Sequence, residues 1–427
     1  MSEPQRVLAA LTCMLACAAG WTAGGAALAE GAIQVSEYGA KGDGQTDDTG
    51  AIQQALAAAG ERGGGVVELA VGQYRLDGTL TVPSGVTLQG VWRTPHFSSP
   101  QQGTTLAVYA GRGQEDGPPL ILLESNSAVC GLTIYYPEQT VADLQPYPWT
   151  IQGRGTHLNV SDVTLLNPYQ GIDFGTYPHE MHYIRNVYGC PLKVGVHLDR
   201  CTDIGRVENV HFNPNSWTRS GLPTAPQGAD GGKLVEYMQA NLTAFEIGRS
   251  DWEFMLNTFS WGAHIGYRFF TSEAGATNGN FLGIAADWAV IPLLVEDTQG
   301  PGLLITNGEF VGSPGAPACV QVGGGVVQLA NCSFWGPHRK VIEAQGNAVV
   351  SLSQCNFVQW NGEVAAVDML GGSLLMQGCI FQAAQTHVRL GPEVRSAALL
   401  GNQFRGGPRV VNESQGDVQQ VGNVTVP

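Results

Sequence analysis

Apolar residues recur along the chain in short groups separated by turn residues, without the spacing of a helix. Towards the C-terminus a short phrase returns, as in Ala330-Asn331-Cys332-Ser333-Phe334 and Ser353-Gln354-Cys355-Asn356-Phe357. Its phenylalanines are 24, 23, 24 and 23 residues apart, at Phe310, Phe334, Phe357, Phe381 and Phe404. A constant period in the twenties with such short strands is typical of a β-solenoid. We therefore predict coils of three short strands, with the phenylalanines stacked inside the tube.

The third strand of each predicted coil alternates between apolar and polar residues. In Ile172-Asp173-Phe174, Val196-His197-Leu198 and Phe245-Glu246-Ile247, two apolar residues flank one polar residue. Because side chains alternate along a strand, the flanking residues should point inward and the middle residue outward. The predicted outward row is Thr150, Asp173, His197, Glu246, Arg268, Leu294 and Gln321. Four successive coils would then stack an acid, an imidazole, an acid and a guanidinium in one line.

A motif rich in glycine and aspartate precedes the first strands. It reads Tyr38-Gly39-Ala40, then Gly42-Asp43-Gly44, then Thr46-Asp47-Asp48-Thr49. Apolar residues at helical spacing follow it, so residues 49–60 should form a short amphipathic helix that caps the N-terminal end of the solenoid. We expect the aspartates to form the turn and to stabilise the start of this helix.

In its residues and their order, this motif resembles the N-terminal signature of the pectate lyase-like superfamily, in its rhamnogalacturonase and epimerase-like form. The resemblance implies an all-β fold, a right-handed single-stranded parallel β-helix, for which we expect about eleven or twelve coils. Polygalacturonase-related members carry their catalytic groups on the face of the predicted outward row. Their motifs Asn-Thr-Asp, Asp-Asp and Gly-His-Gly are absent from this row, so the resemblance transfers no catalytic residue.

The charge of the chain excludes several classes of partner. The formal net charge is −15, which disfavours nucleic acid and anionic membranes. No transmembrane segment and no cofactor are predicted. Residues 1–29 have the pattern of a secretory signal, ending in Ala27-Leu28-Ala29. Cleavage after Ala29 would leave 30–427 as one β-helix domain, secreted or periplasmic, and a lipid anchor at Cys17 is the alternative.

The cysteines are expected to be free rather than paired. Seven of them follow Ala29, and an odd number excludes complete pairing within one chain. Cys332, Cys355 and Cys379 hold the same place in three successive coils and predict a buried ladder of thiols. Whether Cys190 and Cys201 pair is left open. No histidine–cysteine spacing typical of zinc is present, so no metal is predicted.

The outward row predicts a catalytic site for a polysaccharide or oligosaccharide. Asp173 and Glu246 would be about 9.6 Å apart, twice the strand spacing, and carboxyls about 6.5–9.5 Å apart suit an inverting glycosidase. We therefore predict a glycoside hydrolase in which these two residues are acid and base, His197 tunes them, and Arg268 holds the substrate. One alternative is a lyase that acts by β-elimination on a uronate polymer, with His197 or Arg268 as base. Another is a non-catalytic glycan-binding or structural β-helix.

Two loops beside this row are long for a solenoid, one after Asp173 and one over 213–243. Such loops are usually functional, and aromatic rings can hold sugar rings. Substrate binding is predicted for His179, Glu180, His182, Asp199, Arg200, Trp217, Arg249, Asp251 and Trp252. The residues 179–182 could instead line a groove wall or cap a turn, and the charged residues at the strand ends could pair with each other. The oligomeric state is left open.

Overall fold

Parallel strands stack in three ladders in a computed structural model, which describes residues 31–91, 102–362 and 364–427. Residues 33–427 form one compact unit. The all-β, right-handed parallel β-helix expected for the chain is confirmed. The signal pattern of residues 1–29, with Cys17 and Ala29, lies outside the described residues.

The strands of each ladder follow one another along the tube, and several strands run from one ladder into the next. Between Ala128 and Phe212 such strands join the first ladder to the second, and Val367–Gln377 and Val388–Leu400 join the third ladder to the first. The first ladder contains Ile33–Gln34, Gly65–Glu68, Val86–Gln89, Ala128–Tyr135, Asn159–Leu165, Tyr183–Gly189, Gly205–Phe212, Asp251–Leu256, Asn278–Leu282, Leu303–Thr306, Val326–Ala330, Val349–Ser353, Val367–Gln377, Val388–Leu400 and Asp417–Val421. The second adds Asp43–Asp47, Gly72–Leu76, Thr104–Val108, Phe259–Trp261, Ala285–Ala289, Glu309–Gly312, Ser333–Trp335, Asn356–Phe357, Ile380–Phe381, Gln403–Arg405 and Val424–Val426. The third adds Leu80–Val82, Ile121–Glu124, Trp149–Arg154, Gln170–Phe174, Val194–Leu198, Thr243–Ile247, Ile265–Phe269, Ile291–Val295, Ala318–Val322, Lys340–Ala344 and Val410–Asn412.

The tube is longer than expected. The first ladder joins fifteen strands, which gives about fifteen coils rather than eleven or twelve. The additional coils include N-terminal ones that lack the phenylalanine phrase, so the period did not reveal them. Where the phrase is present, the predicted interior stack is confirmed. Successive ring centres from Phe310 to Phe404 are 6.0, 5.2, 4.3 and 5.0 Å apart.

A left-handed residue marks the turn between the first and second ladders in many coils. Non-glycine residues there have φ between 51° and 56°, a range that asparagine and aspartate tolerate best. They are Asp162, Asn186, Asn209, Asn257, Asn307, Asn331 and Gln354. The side chains also bond from coil to coil, since Asn209 Nδ2 donates to Asn186 Oδ1 at 2.7 Å. The turn residues of these two coils are therefore bonded to each other along the tube.

The N-terminal helix, α1 (Thr49–Glu61), packs Ile52, Ala55, Leu56 and Ala59 against the first coils. The carboxylate of Asp48 accepts hydrogen bonds from the backbone of Lys41 and Gly42, so it shapes the turn rather than capping the helix. The other helices are a 3₁₀ turn at Val35–Tyr38, α2 (Asn215–Thr218) and α3 (Ala229–Asn241). Among the described residues, no helix is long and apolar enough to cross a membrane.

The predicted thiol ladder is confirmed. Cys332, Cys355 and Cys379 are buried and free, and the residues that follow them pair in register. Cys190 and Cys201 are also free and buried, so they do not pair with each other.

Replacing Cys355 by serine should lower the free energy of unfolding by about 1–3 kcal/mol, because a smaller and more polar hydroxyl replaces a sulfur in a fully buried site. Urea unfolding of both proteins measures the difference. Cys130→Ser is the matched control, since Cys130 is partly exposed and a change within about 0.5 kcal/mol is expected there. Equal losses in the two variants would contradict burial as the cause.

Candidate functional site

The outward face of the third ladder carries a continuous row of polar side chains. Paired positions align Asp173 with His197, His197 with Glu246, and Glu246 with Arg268, as predicted. Thr150, however, does not head this row. Gln152 pairs with Asp173, while Thr150 is fully buried. The strand Trp149–Arg154 is longer than its neighbours in the ladder. The prediction therefore took the start of this strand, instead of its middle, as the part that aligns with the row.

Asp173 is enclosed although its side chain points away from the tube. Its carboxylate accepts hydrogen bonds from Gln152 Nε2 at 2.6 Å, from the backbone of Gly175 at 2.8 Å and Thr176 at 3.1 Å, and from His197 Nδ1 at 3.0 Å. Burial acts to raise the pKa of Asp173, but the hydrogen bond and charge of His197, with the bonds from Thr176 and Gly175, lower it. The expectation of a solvent-exposed group here is wrong, because these neighbours cover it.

The imidazole of His197 is held by Asp173 and by two aromatic rings. Trp149 stacks on it at 5.9 Å and Phe270 at 6.0 Å between ring centres. Because Nδ1 donates to Asp173, Nε2 carries the lone pair of the neutral ring. Within the described residues Nε2 has no hydrogen-bond partner, and the side chain is 20% exposed.

The charges around His197 favour its protonated form. Burial acts to lower the pKa of His197, but the carboxylates of Asp173, Glu246 and Asp199 outweigh burial and raise it above the usual value of 6.5. The histidine is therefore a base whose proton is released only at a higher pH than in an isolated imidazole.

Arg268 joins two carboxylates beside His197. Its Nη1 donates to Glu246 Oε1 at 2.6 Å and its Nε to Glu296 Oε1 at 2.9 Å. The guanidinium also lies 5.1 Å from the ring centre of Phe270, the ring that stacks on His197. Glu246 and Arg268 keep 19% and 34% of their side chains exposed. The row therefore presents an imidazole and a guanidinium to the same stretch of surface.

The turn after the third ladder holds four of the predicted substrate-binding residues. Asp199 is buried, and its Oδ1 accepts bonds from the backbone of Arg200 and Arg249 and from Ser272 Oγ. Arg249 pairs with Asp251, as the alternative interpretation of these residues expected. Arg200 and Arg249 keep 38% and 34% of their side chains exposed. Asp199 therefore links neighbouring coils through these hydrogen bonds. The side chains of Arg200 and Arg249 are partly exposed at the edge of the row.

His179 and His182 are enclosed rather than placed in a groove. They are 2% and 0% exposed, and both rings contact the interior residue Phe174. Burial, followed by the charge of His182, lowers the pKa of His179 to about 3. Burial also opposes the charge on His182, but the carboxylate of Glu253 outweighs it and raises the pKa of His182 to about 10. Their burial excludes the predicted contact of these histidines with substrate.

The remaining predicted residues are dispersed. Trp217 lies in α2 with its ring fully buried, so the prediction of an exposed platform there is wrong. Trp252 is 48% exposed and stacks on Phe254, but it belongs to the first ladder and not to the third. Glu180 is half-buried and accepts a hydrogen bond from Thr202.

The long connection 213–243 forms a cleft of its own, of about 580 Å³. Its lining includes Asn213, Arg219, Gln227, Val235 and Trp261. No residue of the row from Asp173 to Arg268 lines this cleft. The expectation that this loop and the row share one groove is therefore not met by the described residues.

The row continues beyond Arg268 and becomes charged again in the C-terminal coils. Leu294, Gln321, Glu343, Asp368 and Arg389 follow it in register. Arg389 bonds to Asp368 at 3.0 Å, and a cavity of about 300 Å³ lies between Glu296 and Glu343.

Sequence reasoning missed three residues of the central cluster. Gln152 could have been found by extending the strand at Trp149 to its end. Phe270 and Glu296 each follow directly on an apolar third strand, which is the position that Asp199 holds in its own coil. That shared position is the signal that could have revealed them.

Comparisons with known proteins agree with this architecture. A family model described as rhamnogalacturonase A/epimerase, pectate lyase-like, matches residues 32–117. Alginate lyase 7 of Azotobacter vinelandii is 49% identical over 63 residues, which are 13% of this chain and 7% of that protein. The chain therefore matches only a small fraction of this relative's length.

Two solved structures share the fold over most of the chain. The A-module of mannuronan C-5 epimerase AlgE6 of Azotobacter vinelandii aligns with a TM-score of 0.52 at 16% identity, over 92% of this chain and 99% of that one. Gene product 12 of bacteriophage phi29 aligns with a TM-score of 0.62 at 14% identity, over 92% of this chain and 56% of that one. At such identities the likeness concerns the fold alone. Together with the match of the N-terminal motif, this likeness makes the chain similar to the pectate lyase-like parallel β-helix proteins.

Proposed function

We propose that the chain is a carbohydrate-active enzyme that removes the proton at C5 of a uronate residue in a polysaccharide. Such a proton lies next to a carboxyl group, and its removal is the step that β-elimination and C5-epimerisation share. The observation that carries the proposal is the imidazole of His197, held by the buried Asp173 and placed in one row with Arg268.

Each residue has a definite role in this step. Asp173 accepts the Nδ1 proton and leaves Nε2 of His197 as the base. Arg268 binds the uronate carboxylate. This carboxylate competes with Glu246 and Glu296 for the guanidinium. In β-elimination the C5 electron pair forms the C4–C5 double bond, the bond from C4 to the glycosidic oxygen breaks, and that oxygen takes a proton from solvent. In epimerisation a solvent proton returns to the opposite face of C5.

The similar proteins support a polymer of this kind. One is named alginate lyase and another mannuronan C-5 epimerase. Export of the chain, proposed on the pattern of residues 1–29, fits an enzyme that acts on a polymer outside the cell. The net charge of −15 repels a polyanion at long range, so binding should strengthen as salt screens this repulsion.

The glycoside hydrolase expected from the sequence is less well supported. It needs one carboxylic acid that donates a proton and a second carboxylate that acts on the substrate. Asp173 is buried with its pKa lowered, so it does not supply a proton near neutral pH. Glu246 and Glu296 are both engaged by the guanidinium of Arg268.

Product chemistry tests the proposal. The purified protein is incubated in deuterium oxide with a panel of uronate and neutral polysaccharides. Ultraviolet absorbance of unsaturated ends indicates elimination, and deuterium at C5 without cleavage indicates epimerisation. New reducing ends without either signal would indicate a hydrolase and contradict the proposal. Binding without any product would indicate a glycan-binding protein and contradict it as well.

Arg268→Lys should lower kcat/KM on the uronate polymer by about 10–100-fold, because the bidentate bond to a carboxylate is lost. Arg389→Lys is the matched control. Arg389 lies in the same row, pairs with two carboxylates, and has 35% of its side chain exposed. Its replacement should change kcat/KM less than about threefold, which is under 1 kcal/mol. Equal losses would show that Arg268 is not at the reacting sugar.

A further inference from the structure

Polar side chains from three successive coils meet inside the tube. His179, Cys201 and Ser250 pair as backbone bridges in neighbouring coils. The donor atoms of His179, His182 and Cys201 all lie within 4.8 Å of one another, and all three residues are buried. His179 and Cys201 are more than twenty residues apart in sequence, so the spacing along the chain could not predict that their side chains meet.

This cluster stands in an interior row that continues towards the C-terminus as glycine and apolar residues. The row that contains His182, Gly205 and Glu253 continues into Gly279, Leu303 and Val327. Glu253 is fully buried, and a buried carboxylate is costly unless an opposite charge compensates it. His182 and Ser250 compensate Glu253 here, and the two histidines and the thiol lie together beside this buried pair.

A glycine makes room for the cluster. A Cβ atom on Gly205 would lie 2.1 Å from His182 Cε1 and 2.3 Å from Glu253 Oε2. The side chains of His182 and Glu253 meet through this space, across one intervening coil, with His182 Nε2 3.2 Å from Glu253 Oε1. Ser250 Oγ donates to the other oxygen of Glu253 at 2.6 Å.

The hydrogen bonds of the two histidines determine which of their ring nitrogen atoms could bind a metal. When Nε2 of His182 donates to Glu253, Nδ1 carries the lone pair of the neutral ring, and this atom lies 2.9 Å from His179 Nε2. A carboxylate on the far nitrogen of a histidine ligand is the usual outer-shell partner in metal sites. Two imidazole nitrogens and a sulfur are donors that Zn²⁺ takes, and the thiolate disfavours Ca²⁺ and Mg²⁺.

We propose that His179, His182 and Cys201 bind one Zn²⁺ ion inside the tube, with Glu253 as the hydrogen-bond acceptor behind His182. The ion takes the place of the Nδ1 proton of His182 and the thiol proton of Cys201. The charges then balance, because the thiolate of Cys201 and the carboxylate of Glu253 offset the two positive charges of the ion while both imidazoles are neutral. Zinc with three protein ligands keeps a fourth position for water. The ion would join the coil of Asp173 to that of His197, and its ligands lie outside the row of His197 and Arg268.

Metal analysis of the full chain tests this proposal. After loading with Zn²⁺ and desalting, the protein should hold about one zinc per chain. Loading with Co²⁺ instead should give a sulfur-to-cobalt charge-transfer band, and removal of the metal by a chelator should lower Tm. A wild-type protein that keeps no metal, or that binds cobalt without the sulfur band, would overturn the proposal, whatever the activity of the enzyme.

Two variants and one control localise the ion. Cys201→Ser should lose the sulfur band and weaken zinc binding by more than about 100-fold, since it removes a ligand, and Glu253→Gln should weaken binding about 10–100-fold. Cys190→Ser is the control, because Cys190 is equally buried and contacts Met238 instead of the histidines. Retention of the band in Cys201→Ser would overturn the assignment. If Cys201→Ser does not fold, the wild-type cobalt spectrum and zinc content decide the question.

Discussion

Turnover of the uronate polymer should fall by about 10²–10⁴-fold when His197 is replaced by glutamine, because a positioned base typically contributes that much to the rate. Glutamine keeps a polar side chain between Trp149 and Phe270, so Tm should change little. Initial rates and melting curves of the two proteins measure both quantities. The control is His157→Gln, which alters an exposed histidine outside the row. Unchanged turnover in the His197 variant would exclude this residue as the base.

The pH dependence of the wild type gives a second measure of the same group. The base works only without its proton, so kcat/KM should rise with pH through the pKa of His197. The groups that face it are Asp173, Glu246 and Asp199, which raise that pKa, with Arg268 beyond Glu246. The rise should therefore be centred above the usual pKa of about 6.5.

Asp173→Asn should combine a catalytic and a stability effect. Without the carboxylate, the Nδ1 proton of His197 is no longer fixed, and the rate should fall by up to about 10⁴-fold, as expected when the residue that orients a catalytic histidine is made neutral. The loss of its negative charge also lowers the pKa of His197, so the remaining activity should rise at a lower pH than in the wild type.

The same variant should be less stable by about 1–3 kcal/mol, because the new amide nitrogen faces the Gln152 donor in a buried site. The pKa of Asp173 is lowered in the folded chain, so its carboxylate stabilises the fold above the unfolded pKa of 3.8, and this contribution is lost as the pH falls through the folded pKa. The difference from wild type should therefore shrink in acid. Glu246→Gln is the comparison, since Glu246 is partly exposed and should lose less than about 1 kcal/mol. Equal losses at neutral pH would contradict the burial of Asp173.

Local pattern was sufficient for the regions of the fold in which each coil resembles the next. Alternation in three-residue strands predicted the row from Asp173 to Arg268, and the period of the phenylalanines predicted the interior stack and the thiol ladder. Both signals can be recognised in short stretches of sequence, because each coil of a solenoid repeats the pattern of the coil before it. The count of coils was too low where the phrase is missing, and Thr150 was misplaced where a strand is longer than its neighbours.

The chemistry of the site depended on contacts that no local pattern contains. The row assigned Asp173 and Glu246 as a solvent-exposed pair, but coverage by Gln152 and the turn at Gly175 changes Asp173 into a buried support for His197. Trp217, His179 and His182 were expected at the surface because their loops are long, and the loops fold these side chains inward.

The sequence by itself determined the solenoid and the order of residues along its outward face, because strand alternation and a fixed period are properties of the chain alone. Only the tertiary structure decided which polar groups are buried and which partners they meet. Those contacts join residues one or two coils apart, as Arg268 meets Glu296 and His182 meets Glu253. Their distances are set by the stacking of the coils, and so are the proton affinities that follow from them.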